Sequence, residues 1–136
     1  MGSYTRLRYN SAMNNLLLIA TGGALGAVSR YLFSNGVHSL LGRGFPYGTL
    51  SVNVLGSLLM GFLYILLLER MDPGAHWRPL ILIGFLGAFT TFSTFSIETL
   101  NLVENGDLYR AMLNILLSVT TCLLACWAGV LLGRQL

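Results

Sequence analysis

The sequence has little charge and no lysine. Charged residues make up 10% of its 136 residues, and all eight basic residues are arginines. The net charge of +3 is small and no basic helical face or cluster is present, which excludes nucleic acid as an expected partner. With five acids, two histidines and two cysteines, the chain shows no Ser/His/Asp, Cys/His or paired-carboxylate arrangement that would indicate an enzyme.

The two cysteines do not predict a redox pair or a metal site. Cys122 and Cys126 lie four residues apart in an apolar segment, where a helix would place them one turn apart on one face. We interpret both as small core residues.

Long apolar segments dominate the rest of the sequence. Hydrophobic residues make up 54% of the chain, and the mean hydropathy is +0.69, which is typical of a polytopic membrane protein. Four apolar runs of roughly 20 residues or more are each long enough to cross a bilayer as a helix. The runs cover residues 14–34, 48–68, 79–102 and 108–132, and the polar connections between them cover residues 35–47, 69–78 and 101–107.

The predicted fold is therefore an all-α membrane protein with four transmembrane helices in a single domain, residues 13–136. Residues 1–12 form a polar leader, which we interpret as a vector remnant or a start assigned too far upstream, and we give it no function. No cleavable signal peptide is expected, because the first apolar run is long enough to span. His38 and His76 are both expected to lie outside the spans.

An unusual run of hydroxyl and aromatic residues lies in the third apolar segment. Residues 84–96 carry two glycines followed by five hydroxyl side chains interleaved with phenylalanines. Hydroxyl side chains compete for backbone hydrogen bonds, β-branched residues crowd a helix, and glycine adds backbone freedom. We therefore predict a third helix that is broken in mid-membrane, where irregular backbone must be buried in protein or line a wet cavity. The alternative is a Gly/Ser/Thr face for helix packing.

Two further spans carry uncharged polar side chains. Thr49 and Asn53 are four residues apart in the second span and would share one helix face, which brings O–H and N–H donors into an apolar environment. A buried amide needs a partner, either a neighbouring helix or a permeating ligand. In the fourth span Asn114, Ser118 and Cys122 form a weakly polar stripe, which suits helix packing or the lining of a path.

The candidate path offers hydrogen-bond donors without a full positive charge. Hydroxyls and an amide would replace part of the hydration of a small anion, and the edges of Phe92 and Phe95 carry partial positive charge. A fixed cation at the narrowest point would hold the anion too long, since conduction needs release as well as binding.

Two charged residues lie near the ends of predicted spans. Arg30 is expected to be a structural anchor that snorkels to the interface or pairs with helix-end carbonyls or an acid, and direct ligand contact is the alternative. Glu98 is the one acid inside a predicted span, and its place near the end of the hydroxyl run does not identify it as a proton carrier.

The arginines are divided almost evenly between the two sides of the membrane. Outside the leader, three lie on one side and two or three on the other: Arg70, Arg78 and Arg134 against Arg43 and Arg110, with Arg30 if it snorkels outward. Orientation follows Lys/Arg asymmetry, so this chain is expected to insert both ways. Two opposed copies would then form a closed two-fold dimer. The alternative is a fixed orientation set by other details.

Three motifs in separate spans occur together. They are GGALGAVSR at residues 22–30, GTLSVNVLG at residues 48–56 and GFLGAFTTFSTFS at residues 84–96. In combination they closely resemble the bacterial fluoride channel family (Fluc/CrcB), and the resemblance covers about residue 13 to the C-terminus. It implies a passive channel of the bacterial inner membrane that exports fluoride to limit its toxicity. It also implies an antiparallel, dual-topology homodimer with two pores.

The resemblance further implies a set of site residues. Asn53 would be the pore amide, and Phe92 and Phe95 the pore phenylalanines. The residues expected to line the fluoride path are Thr49, Asn53, Phe92, Ser93, Thr94, Phe95 and Ser118. A structural Na⁺ at the dimer centre would be held by the backbone carbonyls of Gly87 and Thr90 from both copies, because carbonyl oxygens suit a hard cation and an unwound segment frees them. The fourth span departs from the family, which often has Tyr and Ser where this chain has Asn114 and Cys122.

Two other functions compete with a channel. A small proton-coupled multidrug exporter is also a four-span dual-topology dimer, but it needs a carboxylate deep in a span, typically the first, and the first span here has no acid. A helper subunit that transports nothing would explain the packing glycines but not the Phe/Thr/Ser run or the even arginine distribution.

Overall fold

The computed structural model describes the backbone of residues 2–70 and 77–136, and the side chains of residues 12–69 and 77–136. The helices in order are α1 (Gly2–Leu41), α2 (Tyr47–Ile65) with a π-helical continuation (Leu66–Arg70), a π-helical segment (Pro79–Leu86), α3 (Gly87–Phe89), α4 (Phe92–Glu104) and α5 (Leu108–Gln135). Four helical stretches in the described part are long and apolar enough to span a bilayer: Ala12–Leu41, Tyr47–Glu69, Pro79–Glu104 and Leu108–Gln135. The all-α class and the four spans are therefore confirmed.

The first helix is longer than the sequence indicated. We predicted a connection over residues 35–47, but α1 continues to Leu41 and α2 begins at Tyr47. A single glycine inside a helix costs only about 1 kcal/mol, so Gly36 does not end α1. The left-handed residue that ends it is Gly42, with φ of 80°. His38, predicted outside the spans, lies in the last turn of α1, whereas His76 and much of the second connection lie outside the described residues.

Close backbone contacts between helices are made at glycines. A Cβ added to Gly26 would lie 3.0 Å from the Cα of Phe85, so α1 packs against the π-helical segment through this face. A Cβ on Gly129 would lie 2.8 Å from the backbone nitrogen of Phe62, which brings α5 equally close to α2. Small residues allow helices in a membrane to approach closely enough for van der Waals packing. These two contacts place α1 against the π-helical segment of the third span and α5 against α2.

The third span changes conformation at two threonines. Helix α3 ends at Phe89, and Thr90 (φ −83°, ψ 159°) and Thr91 (φ −153°, ψ 118°) have extended backbone before α4 begins at Phe92. We call Thr90 and Thr91 the junction. It begins three residues after Gly87 and lies opposite Asn53 of α2.

Candidate functional site

Asn53 holds the backbone of the junction. Its side-chain nitrogen donates to the carbonyl of Thr91 at 3.0 Å, and the N–H of Thr91 donates to Asn53 Oδ1 at 2.8 Å. Backbone groups released from a helix need partners in an apolar environment, and a single amide side chain provides both. Of the two N–H groups that an asparagine carries, one is used here, and the other has no acceptor among the described residues.

The side chain of Thr91 starts the next helix. Its hydroxyl is the N-cap of α4 and accepts from the N–H of Thr94 at 3.2 Å. The same oxygen lies 3.0 Å from Thr94 Oγ1 and 3.2 Å from Ser93 Oγ. Since threonine is a favoured N-cap, this local chemistry explains why the helix resumes at Phe92 rather than later.

The junction removes the usual partners of two carbonyl groups. In a continuous α-helix the carbonyls of Gly87 and Thr90 would accept from the N–H groups of Thr91 and Thr94. Those N–H groups donate instead to Asn53 Oδ1 and Thr91 Oγ1. The Thr90 carbonyl accepts from Arg30 Nη1 at 3.4 Å. A helix-end carbonyl was one of the partners expected from the sequence for Arg30.

Backbone oxygens, rather than side chains, are the available ligands for a cation here. Among residues 12–69 and 77–136 there is no cluster of three or more His, Cys, Asp or Glu side chains that would hold a metal ion. Hard cations such as Na⁺ prefer oxygen ligands. The carbonyls of Gly87 and Thr90, which have lost their helical donors, therefore have suitable chemistry.

One cavity brings four of the predicted path residues together. It has a volume of about 400 Å³ and is lined in part by Asn53, Phe92, Phe95 and Ser118, with Thr91 of the junction. We call it the phenylalanine cavity. The rings of Phe92 and Phe95 are 5.3 Å apart and inclined at 43°. Phe92 is 76% exposed and Phe95 9% exposed, so the cavity opens at the surface of the single chain.

A second cavity shares Thr91 with the first. Its volume is about 230 Å³, and its lining includes Arg30, Thr49, Thr91 and Thr94. We call it the arginine cavity. The predicted path residues Thr49 and Thr94 line this cavity rather than the first, and Thr91 lines both. The predicted path is thus divided between two cavities that meet at the junction.

Two predicted path residues have other partners. Thr49 is 4% exposed and donates its hydroxyl proton to Glu98 Oε1 at 2.9 Å, so that proton is already used. The second oxygen of Glu98 is buried and has no hydrogen-bond partner among the described residues. Ser93 is exposed and is absent from the lining of both cavities, although it lies beside Thr91.

The fourth span contributes a polar line to the phenylalanine cavity. Ser118 and Cys122 line it, and Asn114, 1% exposed, donates to Thr99 Oγ1 at 2.9 Å. Our interpretation of the two cysteines as core residues is wrong, because both are half-buried and line the cavity. Residues four apart share one helix face, but this spacing does not indicate whether the face packs against another helix or lines a cavity.

Sequence reasoning missed the central position of Thr91 and the contacts of Thr99 and Glu98. A threonine that follows an interruption and precedes a helical pattern is an N-cap signal, so the role of Thr91 was open to prediction. The contacts of Thr99 and Glu98 join separate helices, and no local pattern predicts which residues two helices bring together.

Comparison with known protein families identifies the family to which this chain belongs. Residues 17–130 match the model of a family described as CrcB-like protein, camphor resistance (CrcB). The chain belongs to the CrcB-like family. The matched region begins in α1 and ends in α5, so it includes the junction and both cavities, and the chain is a multi-pass membrane protein of this family.

Several relatives of this CrcB-like chain carry the name fluoride-specific ion channel FluC. The protein from Coxiella burnetii (strain Dugway 5J108-111) is 56% identical over 123 residues, which cover 90% of this chain and 99% of the relative. That from Geobacter sulfurreducens is 49% identical over 124 residues, 91% of this chain and 100% of the relative. That from Methylococcus capsulatus is 55% identical over 122 residues, which cover 90% of this chain but only 54% of the relative.

Proposed function

We propose that this chain forms a passive, fluoride-selective channel that exports fluoride from the cytoplasm across the bacterial inner membrane. The observation that carries the proposal is the phenylalanine cavity of about 400 Å³, where two phenyl rings, an amide and hydroxyls lie among apolar side chains. None of the described side chains that line it is charged. The relatives named as fluoride-specific ion channels support the same function.

Neutral dipoles suit the passage of a small, strongly hydrated anion. The free N–H of Asn53, the hydroxyl of Ser118 and the positive edges of Phe92 and Phe95 would replace part of its water shell. Without a fixed positive charge in the cavity, the anion is also released. Arg30 lies in the neighbouring arginine cavity, where it would raise the local anion concentration.

The junction would be the mid-membrane break of the third helix. Thr90 and Thr91 lie near the centre of the candidate span Pro79–Glu104. Irregular backbone is tolerated at this depth only when its polar groups are satisfied or face a wet cavity. The hydrogen bonds from Asn53 and the two adjoining cavities meet both conditions.

The functional unit would be an antiparallel homodimer with two pores. Phe92 is 76% exposed, which leaves the phenylalanine cavity incomplete in one chain. A second copy inserted in the opposite direction would cover that surface, and two-fold symmetry would repeat the site. The nearly even distribution of arginines between the two sides supports insertion in both directions.

A structural Na⁺ fits the centre of such a dimer. The carbonyls of Gly87 and Thr90 have lost their helical donors, and Gly87 is exposed on the surface of the chain. Two copies would supply four carbonyl oxygens, which is suitable chemistry for a hard monovalent cation. The ion would offset the carbonyl dipoles and tie the two junctions together. Arg30 would stabilise the Thr90 carbonyl from the opposite side.

The remaining predicted path residues would serve the approach to the cavity. Thr94 lines the arginine cavity with Thr49, whose hydroxyl donates to Glu98. Ser93 would complete the track only together with a second copy, since it is exposed in the single chain. Export has a simple physical basis: hydrogen fluoride crosses lipid in acid surroundings, ionises in the more alkaline cytoplasm, and leaves the anion trapped.

Fluoride efflux from proteoliposomes tests the proposal. With a potassium ionophore present and no proton gradient, the purified protein should release fluoride. Phe92→Ile and Phe95→Ile should each lower the rate at least about tenfold, as expected for the loss of one favourable contact to a charged species. Both variants should still elute as dimers.

Phe33→Ile is a matched control, because Phe33 lies in α1 and is absent from the lining of both cavities. Its flux should equal that of the wild type. Unchanged flux in both pore variants would defeat the assigned path. A strict need for a proton gradient would favour the proton-coupled exporter instead.

A further inference from the structure

Several hydroxyl side chains in the described spans bond to their own helix. Six of them donate to the carbonyl four residues earlier at 2.5–3.1 Å: Thr21, Thr90, Ser96, Thr99, Thr120 and Thr121. This local bond is the ordinary way for Ser and Thr to satisfy a hydroxyl inside an apolar helix. A hydroxyl held in this way has its proton occupied in a short hydrogen bond.

Ser118 differs from these residues. It lies in α5 with Thr120 and Thr121, yet its hydroxyl donates to the side-chain oxygen of Asn114 at 3.4 Å. That distance exceeds the usual O–H···O range of about 2.5–3.0 Å, so the interaction is weak. Ser118 is also the described hydroxyl of α5 that lines the phenylalanine cavity. The Ser118 proton is therefore held more loosely than those of the six residues above, and it lies where an anion would pass.

The side chain of Asn114 is fixed by a second helix. Its nitrogen donates to Thr99 Oγ1 at 2.9 Å, and Thr99 donates to the carbonyl of Phe95 at 2.7 Å. A carbonyl only accepts, so Thr99 must give its single proton to Phe95 and accept from the amide. The oxygen of Asn114 then faces Ser118, and Ser118 must be the donor. Because the Phe95 carbonyl can only accept, the donor and the acceptor of each hydrogen bond from Ser118 to Phe95 are determined.

We infer that Asn114 is a positioning residue for anion passage: it keeps the Ser118 hydroxyl in a weak hydrogen bond, so that this hydroxyl can donate to a passing anion instead. This inference rests on the proposed channel function. Without the Asn114 oxygen, the Ser118 hydroxyl would turn to the backbone carbonyl of residue 114 and form the short bond that its neighbours form. An anion is a stronger acceptor than a neutral amide, so it displaces the 3.4 Å bond far more easily than a short one.

Burial within one chain makes this arrangement independent of the dimer. Asn114 is 1% exposed and Ser118 8% exposed in the single chain. A second copy therefore cannot provide an alternative partner for Asn114. A purely structural role, in which Asn114 only joins α4 to α5, is the competing explanation, and it predicts no dependence on Ser118.

A double-mutant cycle in proteoliposomes separates the two roles. The variants are Asn114→Leu, Ser118→Ala and the double variant, each measured as fluoride efflux and checked as a dimer. Each single variant should lower the rate by about tenfold, the factor that corresponds to one hydrogen bond of ordinary strength. The double variant should be no slower than Ser118→Ala, because Asn114 acts through that hydroxyl. Thr120→Val, at an exposed hydroxyl on the same helix, should leave the rate unchanged.

If the efflux rate of the double variant falls by the product of the two single-variant factors, the inference is wrong, and the proposed channel function is unaffected. A wild-type protein that releases no fluoride would overturn both. If Asn114→Leu fails to form dimers, Thr99→Val decides the matter, since it removes the group that orients the amide. Thr99→Val should slow efflux in the wild-type background and have no effect in Ser118→Ala, and an equal loss in both backgrounds would refute the inference.

Discussion

Replacing Asn53 with leucine should open the junction. The change removes the hydrogen bonds of 2.8 and 3.0 Å that hold the N–H and carbonyl of Thr91. Each buried backbone group left without a partner costs about 1–3 kcal/mol, or about 2–6 kcal/mol for both. Water in the adjoining cavities would offset part of this cost, so we expect a net loss of about 2–3 kcal/mol. At about 1.4 kcal/mol per factor of ten, the ordered junction becomes roughly 30 to 140 times less populated.

Hydrogen exchange measures this loss at the site itself. In Asn53→Leu, peptides that contain the Thr91 amide should exchange faster by roughly that factor, while peptides from α5 remain protected. Fluoride efflux should fall at least about tenfold, because both the ordered junction and one N–H donor are lost. Asn101→Leu is a suitable control, since Asn101 is exposed near the end of α4. Protection of Thr91 equal to that of the wild type would refute the role we assign to Asn53.

Two further predictions concern packing and buried polarity. Gly22→Ala should destabilise the fold by about 1–3 kcal/mol in a thermal unfolding assay, because a Cβ there would collide with the backbone of the π-helical segment. Gly36→Ala, inside α1 with open space around it, should not destabilise the fold and should gain up to about 1 kcal/mol. Thr49→Val should cost about 1–3 kcal/mol in the same assay, since it removes the hydrogen bond to Glu98, and Thr21→Val should cost little because its hydroxyl is exposed and bonds only to its own helix; equal losses in a variant and its control would contradict either prediction.

The spans were predictable because they depend on local composition. Apolar runs of the right length give the number of helices directly, and the four spans agree with the sequence. The end of α1 was not predictable in this way. Residues 35–47 contain several glycines, and only the backbone conformation shows that Gly42, rather than Gly36, has the positive φ that ends the helix.

The residue types at the site were predictable from the sequence, but the hydrogen bonds between helices were not. The hydroxyl run and Asn53 were identified from the sequence, and the structure brings Asn53, Phe92, Phe95 and Ser118 to one cavity. The sequence offered Thr49 as a free donor, whereas the structure pairs it with Glu98. Such partners depend on the relative rotation and height of two helices, which composition and spacing along one chain do not determine.

The central claim is that uncharged donors around the phenylalanine cavity pass fluoride selectively. The most direct measurement is the efflux of fluoride and of chloride from matched proteoliposomes of the wild-type protein, with a potassium ionophore and no proton gradient. We predict rapid release of fluoride and retention of chloride. Vesicles that retain both anions, or that release both equally, would contradict the claim.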